Sequence, residues 1–163
     1  MGSGIKVDEF QLKIEEGGRN MFIGNYNHSV DEKGRFIMPA KYREQLDGRC
    51  VVTKGIDGNG LYIYDMKEWE NFIGRLRQLP NSRPEIRDLQ RHFVTEAETV
   101  EIDKQGRCLI SANLRAYAGI TSEIRLMGVD NKIELWSMES WNKYNLEKQP
   151  DVAEIAATVD LII

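Results

Sequence analysis

The pentapeptide DEKGR at residues 31–35 returns 72 positions later as DKQGR at residues 103–107. The same offset relates identical residues further along, namely Ala40 with Ala112, Arg43 with Arg115, Met66 with Met138 and Trp69 with Trp141. Self-similarity at a fixed offset is the signature of a repeated structural unit. We therefore predict that the chain contains two copies of one structural unit. A surface element presented twice suits a repetitive partner better than a single small substrate.

The two copies predict the same order of short elements. Asp followed three residues later by Gly is a turn signal, because Asp can bond to the backbone ahead and Gly tolerates positive φ. The predicted strands are His28–Val30, Arg35–Met38, Cys50–Lys54 and Leu61–Tyr64, then Val100–Ile102, Arg107–Ile110, Glu123–Gly128 and Ile133–Trp136. Pro39 and Ser111 are expected to begin short helical turns that run to Arg43 and Arg115. The sequence thus favours a mixed, β-rich α/β fold.

Helices are predicted after and between the copies. Asp65 is expected to cap a helix whose apolar side carries Trp69, Phe72, Ile73 and Leu76, which we assign to the core rather than to ligand stacking. Ser137 opens the matching helix, with Trp141 and Tyr144 in the corresponding positions. Glu85–Phe93 reads as a linking helix. Val152–Leu161 reads as a terminal helix with an apolar face that must be buried on its own chain or on a neighbour.

These patterns divide the chain into five segments. Residues 1–20 match nothing in the repeat and are expected to be a disordered leader or tag, with a native extension as the alternative. The first repeat is placed at 25–67, linking helices at 68–96, the second repeat at 97–140 and a helical tail at 141–163. A length of 163 residues suits one domain or two small ones.

Charge is unevenly distributed along the chain. The net charge is −4, which opposes a generally basic surface but leaves room for a local basic patch. Residues 31–43 hold four basic and two acidic side chains, and residues 103–115 hold three basic and one acidic. The two copies are therefore the basic parts of an acidic protein.

The composition also predicts the cellular location of the protein, the state of its cysteines and its need for a cofactor. No apolar run approaches the roughly 20 residues needed to cross a bilayer, and no secretory signal is visible, so a cytoplasmic protein is expected. Cys50 and Cys108 lie in apolar runs and are expected to be buried thiols, with a disulfide as the alternative. The scattered Cys and His residues lack zinc-ligand spacing, and no cofactor is predicted.

The repeated turn also carries a chemical function. It places Arg35 and Arg107 at the start of a strand, where a planar guanidinium could fork onto guanine O6 and N7 or clamp a phosphate. Asp31 and Asp103 could orient these arginines through charge-assisted bonds. Further cations that could bind phosphates are Lys33, Arg43, Lys104 and Arg115. The alternative is a local ion pair that only stabilises the turn.

Enzyme chemistry finds less support in the sequence. No phosphate-binding G-x-x-x-x-G-K-[ST] loop occurs. The Gly-rich residues 57–60 lie between two predicted strands and indicate a hairpin turn. His28 has no nucleophile at a recognisable spacing, and His92 lies in a predicted helix as a surface or packing residue. We therefore predict that the chain is not an enzyme.

Three stretches together resemble the bacterial MraZ family. They are MFIGNY at residues 21–26, D-x-K-G-R-x-x-x-P-A-x-x-R at 31–43, and, in the second half, DKQGR at 103–107 with IELWS at 133–137. The resemblance covers Met21 to about Asp160. Ser111 stands where the pattern of Pro39 leads one to expect proline, which leaves open whether the two copies contact a partner equally.

The resemblance implies a fold and a function. The family's fold is similar to that of the swapped-hairpin AbrB transcription factors: tandem double-hairpin half-domains form one pseudo-two-fold, barrel-like domain with short flanking helices. Its members form ring-shaped homo-oligomers, commonly octamers, and bind double-stranded DNA at direct repeats in the promoter of the cell-division and cell-wall gene cluster that includes their own gene. They act as transcriptional regulators, mostly repressors, which implies a nucleoid-associated protein.

Carried onto this sequence, the family's D-x-x-x-R element falls on Asp31 and Arg35 and on Asp103 and Arg107. The full predicted DNA-binding set is Asp31, Lys33, Arg35, Arg43, Asp103, Lys104, Arg107 and Arg115. The alternative function is a ring-forming scaffold or an antitoxin-like partner of another protein. The acidic tail and the unmatched helix at Val152–Leu161 favour that alternative.

Overall fold

Two antiparallel sheets of unequal size carry the strands of residues 21–163, the part of the chain that this computed structural model describes. The expected leader at residues 1–20 lies outside the described residues. The first copy contains β1 (Asn25–Ser29), β2 (Arg35–Ile37), α1 (Ala40–Leu46), β3 (Arg49–Lys54), β4 (Leu61–Tyr64) and α2 (Met66–Arg77). Helix α3 (Pro84–Val94) leads to the second copy.

The second copy repeats the same order of elements. It contains β5 (Glu98–Glu101), β6 (Arg107–Leu109), α4 (Ala112–Ala118), β7 (Glu123–Val129), β8 (Lys132–Ser137) and α5 (Met138–Lys148), and α6 (Val152–Thr158) follows without a counterpart. The predicted α/β class and the predicted order of elements are confirmed. Several boundaries differ from the predicted ones. Strands β1 and β5 begin earlier, at Asn25 and Glu98. Helices α1 and α4 continue to Leu46 and Ala118, and α6 ends three residues before Leu161.

The copies exchange their first strands. The large sheet has the order β1-β7-β8-β4-β3-β5, so β1 pairs with β7 of the second copy and β5 pairs with β3 of the first. Equivalent hydrogen bonds extend both pairings, from the Val30 amide to the Ser122 carbonyl (2.7 Å) and from the Ile102 amide to the Gly48 carbonyl (2.9 Å). The fold is therefore pseudo-symmetric, and neither copy completes its sheet alone.

The large sheet is open, which corrects the expected barrel-like shape. Its order ends at β1 on one side and at β5 on the other, so the six strands do not close on themselves within the described chain. The physical reason is that β2 and β6 leave this sheet and pair with each other. They form a separate two-stranded ribbon, which we call the β2–β6 ribbon.

A single hydrophobic core joins the copies beneath this ribbon. It includes Phe36, Met38 and Leu46 from the first copy and Cys108, Ile110 and Leu114 from the second, each no more than 2% exposed. Cys50 and Cys108 are both buried and free, which confirms the predicted thiols. A hydrogen bond with Cys108, together with burial, raises the pKa of the Cys50 thiol, so this thiol is neutral at ordinary pH.

The predicted capping and aromatic packing are also found. The Asp65 carboxylate accepts a hydrogen bond from the Glu68 amide (2.7 Å) at the start of α2. Phe72 stacks on Tyr64 and meets Phe93 of α3 edge-on, with centroid distances of 5.5 and 5.0 Å. These rings hold α2 and α3 against the sheet, which confirms their assignment to packing rather than to ligand stacking.

Two smaller predictions are confirmed as well. The Gly60 amide donates to the Asp57 carbonyl (2.9 Å), which closes the turn of the β3–β4 hairpin. His92 Nε2 lies 2.8 Å from the Gly55 carbonyl oxygen and packs on Phe93, as expected for a packing residue. Along residues 21–163, none of the helices combines the length and the apolarity that a membrane crossing needs.

Candidate nucleic-acid interface

The first repeated turn is held by a single carboxylate. Asp31 Oδ1 accepts hydrogen bonds from the backbone amides of Lys33 and Arg35, each at 2.9 Å. Its Oδ2 accepts a third bond from Arg35 Nε, also at 2.9 Å. The Gly34 amide donates to the Asp31 carbonyl (3.0 Å) and closes the turn. Asp31 therefore shapes the turn and orients the guanidinium with the same side chain.

The second turn reproduces these contacts bond for bond. Asp103 Oδ1 accepts from the amides of Gln105 (3.0 Å) and Arg107 (2.8 Å), and Oδ2 accepts from Arg107 Nε (2.6 Å). The Gly106 amide donates to the Asp103 carbonyl at 2.9 Å. The sequence match between DEKGR and DKQGR is thus a match of three-dimensional structure. Asp103 therefore orients the Arg107 guanidinium just as Asp31 orients that of Arg35.

These bonds change the acidity of both aspartates. The backbone amide of Arg35, with a further contribution from its guanidinium, lowers the pKa of Asp31 below the ordinary value of 3.8. Arg107 lowers the pKa of Asp103 through the same two groups. Because the folded pKa values are depressed, the stabilisation of the turns is present above the ordinary aspartate pKa and is lost as the pH falls through the folded values.

A carboxyl titration followed by NMR should show this directly. We expect Asp31 and Asp103 to titrate with midpoints below 3.8. In the variant Arg35→Gln, the midpoint of Asp31 should rise only part of the way, because the backbone amide, the largest cause of the shift, remains. The midpoint of Asp103 serves as the internal control and should not move. Midpoints at or above 3.8 in the parent protein would contradict the turn geometry.

Both arginines lie on one face of the β2–β6 ribbon. Phe36 pairs with Cys108 at the centre of the ribbon, so Arg35 and Arg107 are placed symmetrically about it. Their side chains are 29% and 35% exposed. Each uses Nε to bind its aspartate, and the Nη groups of both have no hydrogen-bond partner among residues 21–163. Two oriented guanidinium heads are therefore available to a partner that reaches this face.

The other two predicted arginines have a different position. Arg115 crosses to the first copy, where its Nη1 donates to the Lys33 carbonyl (3.1 Å). Its guanidinium covers Gly34, which is buried and has φ +88°. A Cβ at Gly34 would collide with Arg115 Nη1. Arg115 thus supports the turn of the opposite copy.

Arg43 makes the reciprocal arrangement. Its guanidinium covers Gly106 (φ +83°), where a Cβ would lie 2.5 Å from Arg43 Nη1. Arg43 Nε is buried and lacks a hydrogen-bond partner among the described residues. Sequence reasoning identified both arginines but missed this crossing, because the eight-residue spacing within a copy says nothing about packing on the other copy. Each turn is therefore covered by an arginine of the other repeat.

The two predicted lysines stand at the rim of the site. Lys33 and Lys104 occupy the outer positions of the two turns, and both are exposed. The structure therefore gathers all eight predicted residues about the β2–β6 ribbon: Asp31, Lys33, Arg35 and Arg43 with Asp103, Lys104, Arg107 and Arg115. Six of these eight side chains are Lys or Arg and two are Asp, so the local charge is positive although the whole chain is acidic.

Comparison with known proteins agrees with this repeated architecture. The model of the family described as "MraZ protein, putative antitoxin-like" matches the chain twice, at residues 21–92 and 93–162. Each match covers one structural copy with its following helices. Because the two matches together span most of the chain, they establish the family.

Relatives in several bacteria share most of their length with this chain. The transcriptional regulator MraZ of Syntrophomonas wolfei is 43% identical over 142 residues, covering 86% of this chain and 99% of that protein. The protein of the same name from Lachnoclostridium phytofermentans is 45% identical, covering 82% and 94%. That of Clostridium tetani is 48% identical, covering 77% and 87%. The chain belongs to the MraZ family, whose named members here are transcriptional regulators rather than enzymes.

Proposed function

We propose that this chain is a transcriptional regulator that binds double-stranded DNA with the β2–β6 ribbon. The observation that carries the proposal is the pair of Asp-oriented guanidinium groups on one face of that ribbon. The major groove of DNA admits a two-stranded β-ribbon, and the fork of an arginine fits guanine O6 and N7. Arg35 and Arg107 are therefore assigned to base edges or to the phosphates beside them.

The remaining residues of the set have supporting roles in this proposal. Asp31 and Asp103 orient the arginines, and Lys33 and Lys104 approach the phosphate backbone from the rim. Arg43 and Arg115 hold the turns from the opposite copy while adding positive charge. Phosphate contacts position a protein on the duplex, and base contacts specify the sequence. The set thus contains both kinds of contact.

We infer that the target is a set of direct repeats in the promoter of the cell-division and cell-wall gene cluster that includes the chain's own gene, and that binding represses transcription. The fold is assigned to the AbrB-like, swapped double-hairpin type, in keeping with the exchange of first strands. The repeats 25–67 and 97–140 then form the two halves of one DNA-binding surface. Such a regulator works in the cytoplasm, on the nucleoid.

Assembly explains how an acidic chain can hold DNA. One subunit offers two arginine heads, whereas a ring of subunits, an octamer in this proposal, would align several ribbons along repeated sites. Linking binding units raises avidity far above the affinity of any one unit. Exposed apolar residues near the C-terminus, including Val152 and Ile155 of α6 and Val159 just after it, offer surface for contacts between subunits.

Duplex binding measured together with mass tests this function. Fluorescence anisotropy should show tight binding to the promoter duplex and weaker binding to a random duplex of equal length. Light scattering should give a multimer with and without DNA. A protein that stays monomeric and binds neither duplex would contradict the proposal.

Salt dependence provides a further prediction. Affinity for duplex DNA should fall steeply with salt, because phosphate contacts release counterions. Lys33→Ala should lower the slope of log K against log salt by about 1, since one phosphate contact is lost. Lys67→Ala in α2 removes another exposed lysine, outside the ribbon, and should leave the slope unchanged. Equal slopes for the two variants would argue against Lys33 as a phosphate contact.

A protein-interaction scaffold or antitoxin-like partner is the second candidate. The exposed apolar side chains of α6 and of the chain end favour it, with Ile162 and Ile163 95% and 96% exposed. The description of the matching family also contains the word antitoxin. A stable protein partner in pull-down, combined with no binding to any duplex, would select this candidate.

A further inference from the structure

The outer face of the β2–β6 ribbon contains two apolar side chains as well as two arginines. Along each strand, the central residue points inward: Phe36 is 2% exposed and Cys108 is 1% exposed. The neighbours on the other face include Ile37 and Leu109, which are 42% and 52% exposed. Strand residues alternate between faces, so these aliphatic side chains share the outer face with Arg35 and Arg107.

The register places each aliphatic side chain beside an arginine of the other copy. Arg35 lies opposite Leu109, and Ile37 lies opposite Arg107. Ladder bonds from the Met38 amide to the Gly106 carbonyl (2.8 Å) and from the Ile110 amide to the Gly34 carbonyl (2.9 Å) flank the ribbon.

Because hydrogen-bonded and non-bonded pairs alternate, the two mixed pairs fall at non-bonded positions, where Cα atoms approach to about 4.5 Å. Each arginine therefore lies directly opposite an aliphatic residue of the neighbouring strand. The arginine and the aliphatic side chain of each pair can therefore contact adjacent groups of the same bound molecule.

The charged residues near Ile37 and Leu109 indicate which kind of partner can bind against these two apolar side chains. Single exposed aliphatic residues are common and need no explanation. Here, however, both copies place one at the same position, opposite an arginine. The turns that precede the two strands add the exposed Lys33 and Lys104. Face-to-face contact with the same surface of a second subunit would bring these cations together. A polyanion that also exposes apolar groups fits the face better, and the major groove of DNA does so through the methyl groups of thymine.

We propose that Ile37 and Leu109 contact the C5-methyl group of thymine beside the bases faced by Arg107 and Arg35. This inference rests on the proposed DNA-binding function. It means that each pair of an arginine and the opposite aliphatic residue recognises two neighbouring bases rather than one. Because the pairing crosses between the copies, Leu109 of the second copy sets the neighbouring base for Arg35 of the first. A substitution in one copy thus changes the base preference next to the arginine of the other.

Uracil in place of thymine removes only the methyl group and tests the contact. The probe is the tightest-binding duplex selected from a random library, synthesised with thymine or with deoxyuridine at one position at a time. We expect at least one position per half-site at which uracil weakens binding by about fourfold, the effect of one buried methyl group. Fluorescence anisotropy at fixed salt gives the two values of Kd.

Variants assign the effect to the two side chains. Ile37→Ala with Leu109→Ala should bind the thymine duplex more weakly and show no further loss with uracil, because the methyl group no longer has a partner. Ile37→Thr with Leu109→Thr preserves strand propensity and keeps one methyl group on each side chain, so it should show a reduced sensitivity to uracil, and it replaces the alanine protein in the test if that protein folds poorly. Ile56→Ala, which removes a 69% exposed aliphatic residue from the β3–β4 hairpin, should retain the full sensitivity to uracil.

The possible outcomes separate the inference from the function on which it rests. Equal binding of thymine and uracil duplexes by the parent protein, or a selected site without thymine, overturns the inference and leaves DNA binding intact. A changed oligomer mass in the alanine or threonine variant also overturns it, because the side chains would then join subunits. Absence of binding to every duplex removes the proposed function itself.

Discussion

Replacing Arg35 and Arg107 together with alanine is expected to abolish sequence-specific DNA binding while the protein stays folded and assembled. The two guanidinium groups are the oriented, partly exposed heads of the β2–β6 ribbon, with Nη groups unpaired within residues 21–163. Loss of one base-reading arginine costs about 1–3 kcal/mol. Two such losses amount to at least about 2 kcal/mol, or about thirtyfold in Kd for one subunit, and avidity multiplies the effect.

The fold should tolerate this double change. Asp31 and Asp103 keep their bonds to backbone amides in both turns, and an exposed ion pair adds little to stability. Circular dichroism and light scattering should therefore match the parent protein.

Arg83→Ala with Arg91→Ala is the matched control. It also removes two arginines from exposed ion pairs, with Glu85 (2.8 Å) and Asp88 (3.0 Å), but outside the ribbon. Full binding by the Arg35 and Arg107 double variant would disprove the site.

Replacing Gly34 or Gly106 with alanine should destabilise the fold more than any other small change in the two turns. Both residues have positive φ, and the cross-copy arginines occupy the space that a Cβ would need. A strained backbone of this kind costs about 1–3 kcal/mol. Chemical denaturation should therefore show a lower unfolding midpoint for each variant.

Two further variants identify the cause of the loss. Gly74→Ala in α2 is the control, because no heavy atom of the described residues lies within 4 Å of its Cβ position apart from its chain neighbours and its own helix backbone. It should be neutral or stabilise the helix by up to about 1 kcal/mol. Combining Gly34→Ala with Arg115→Ala should cost less than the sum of the separate changes, because the collision is then absent. Additive losses would show that Arg115 does not cover Gly34 in solution.

Local sequence rules predicted the elements well because each signal acts within a few residues. The Asp-x-x-Gly turns, the Asp65 cap and the aromatic face of α2 depend on neighbours in the chain, and all are found. The positions of Asp31 and Arg35 in the site also followed from the repeated motif. What the motif predicted was the local geometry of each turn.

Relations between the copies could not be predicted in this way. Strand periodicity does not identify the partner strand, so it predicted neither the pairing of β1 and β5 with the opposite copy nor the open sheet. The crossing of Arg43 and Arg115 depends on the same long-range arrangement. Ile37 and Leu109 did carry a signal, since each follows a buried residue in a strand and alternation places it outside. Their proximity to the opposite arginine required the register.

The exchange of first strands has a consequence for synthesis on the ribosome. Tyr26 of β1 pairs with Leu126 of β7, so the partner of an early strand is made about a hundred residues later. Loop closure over such a separation slows folding. During synthesis, β1 has no partner strand, and the large sheet stays incomplete, until β7 has left the exit tunnel. Folding of the large sheet is thus completed only after β7 has been synthesised.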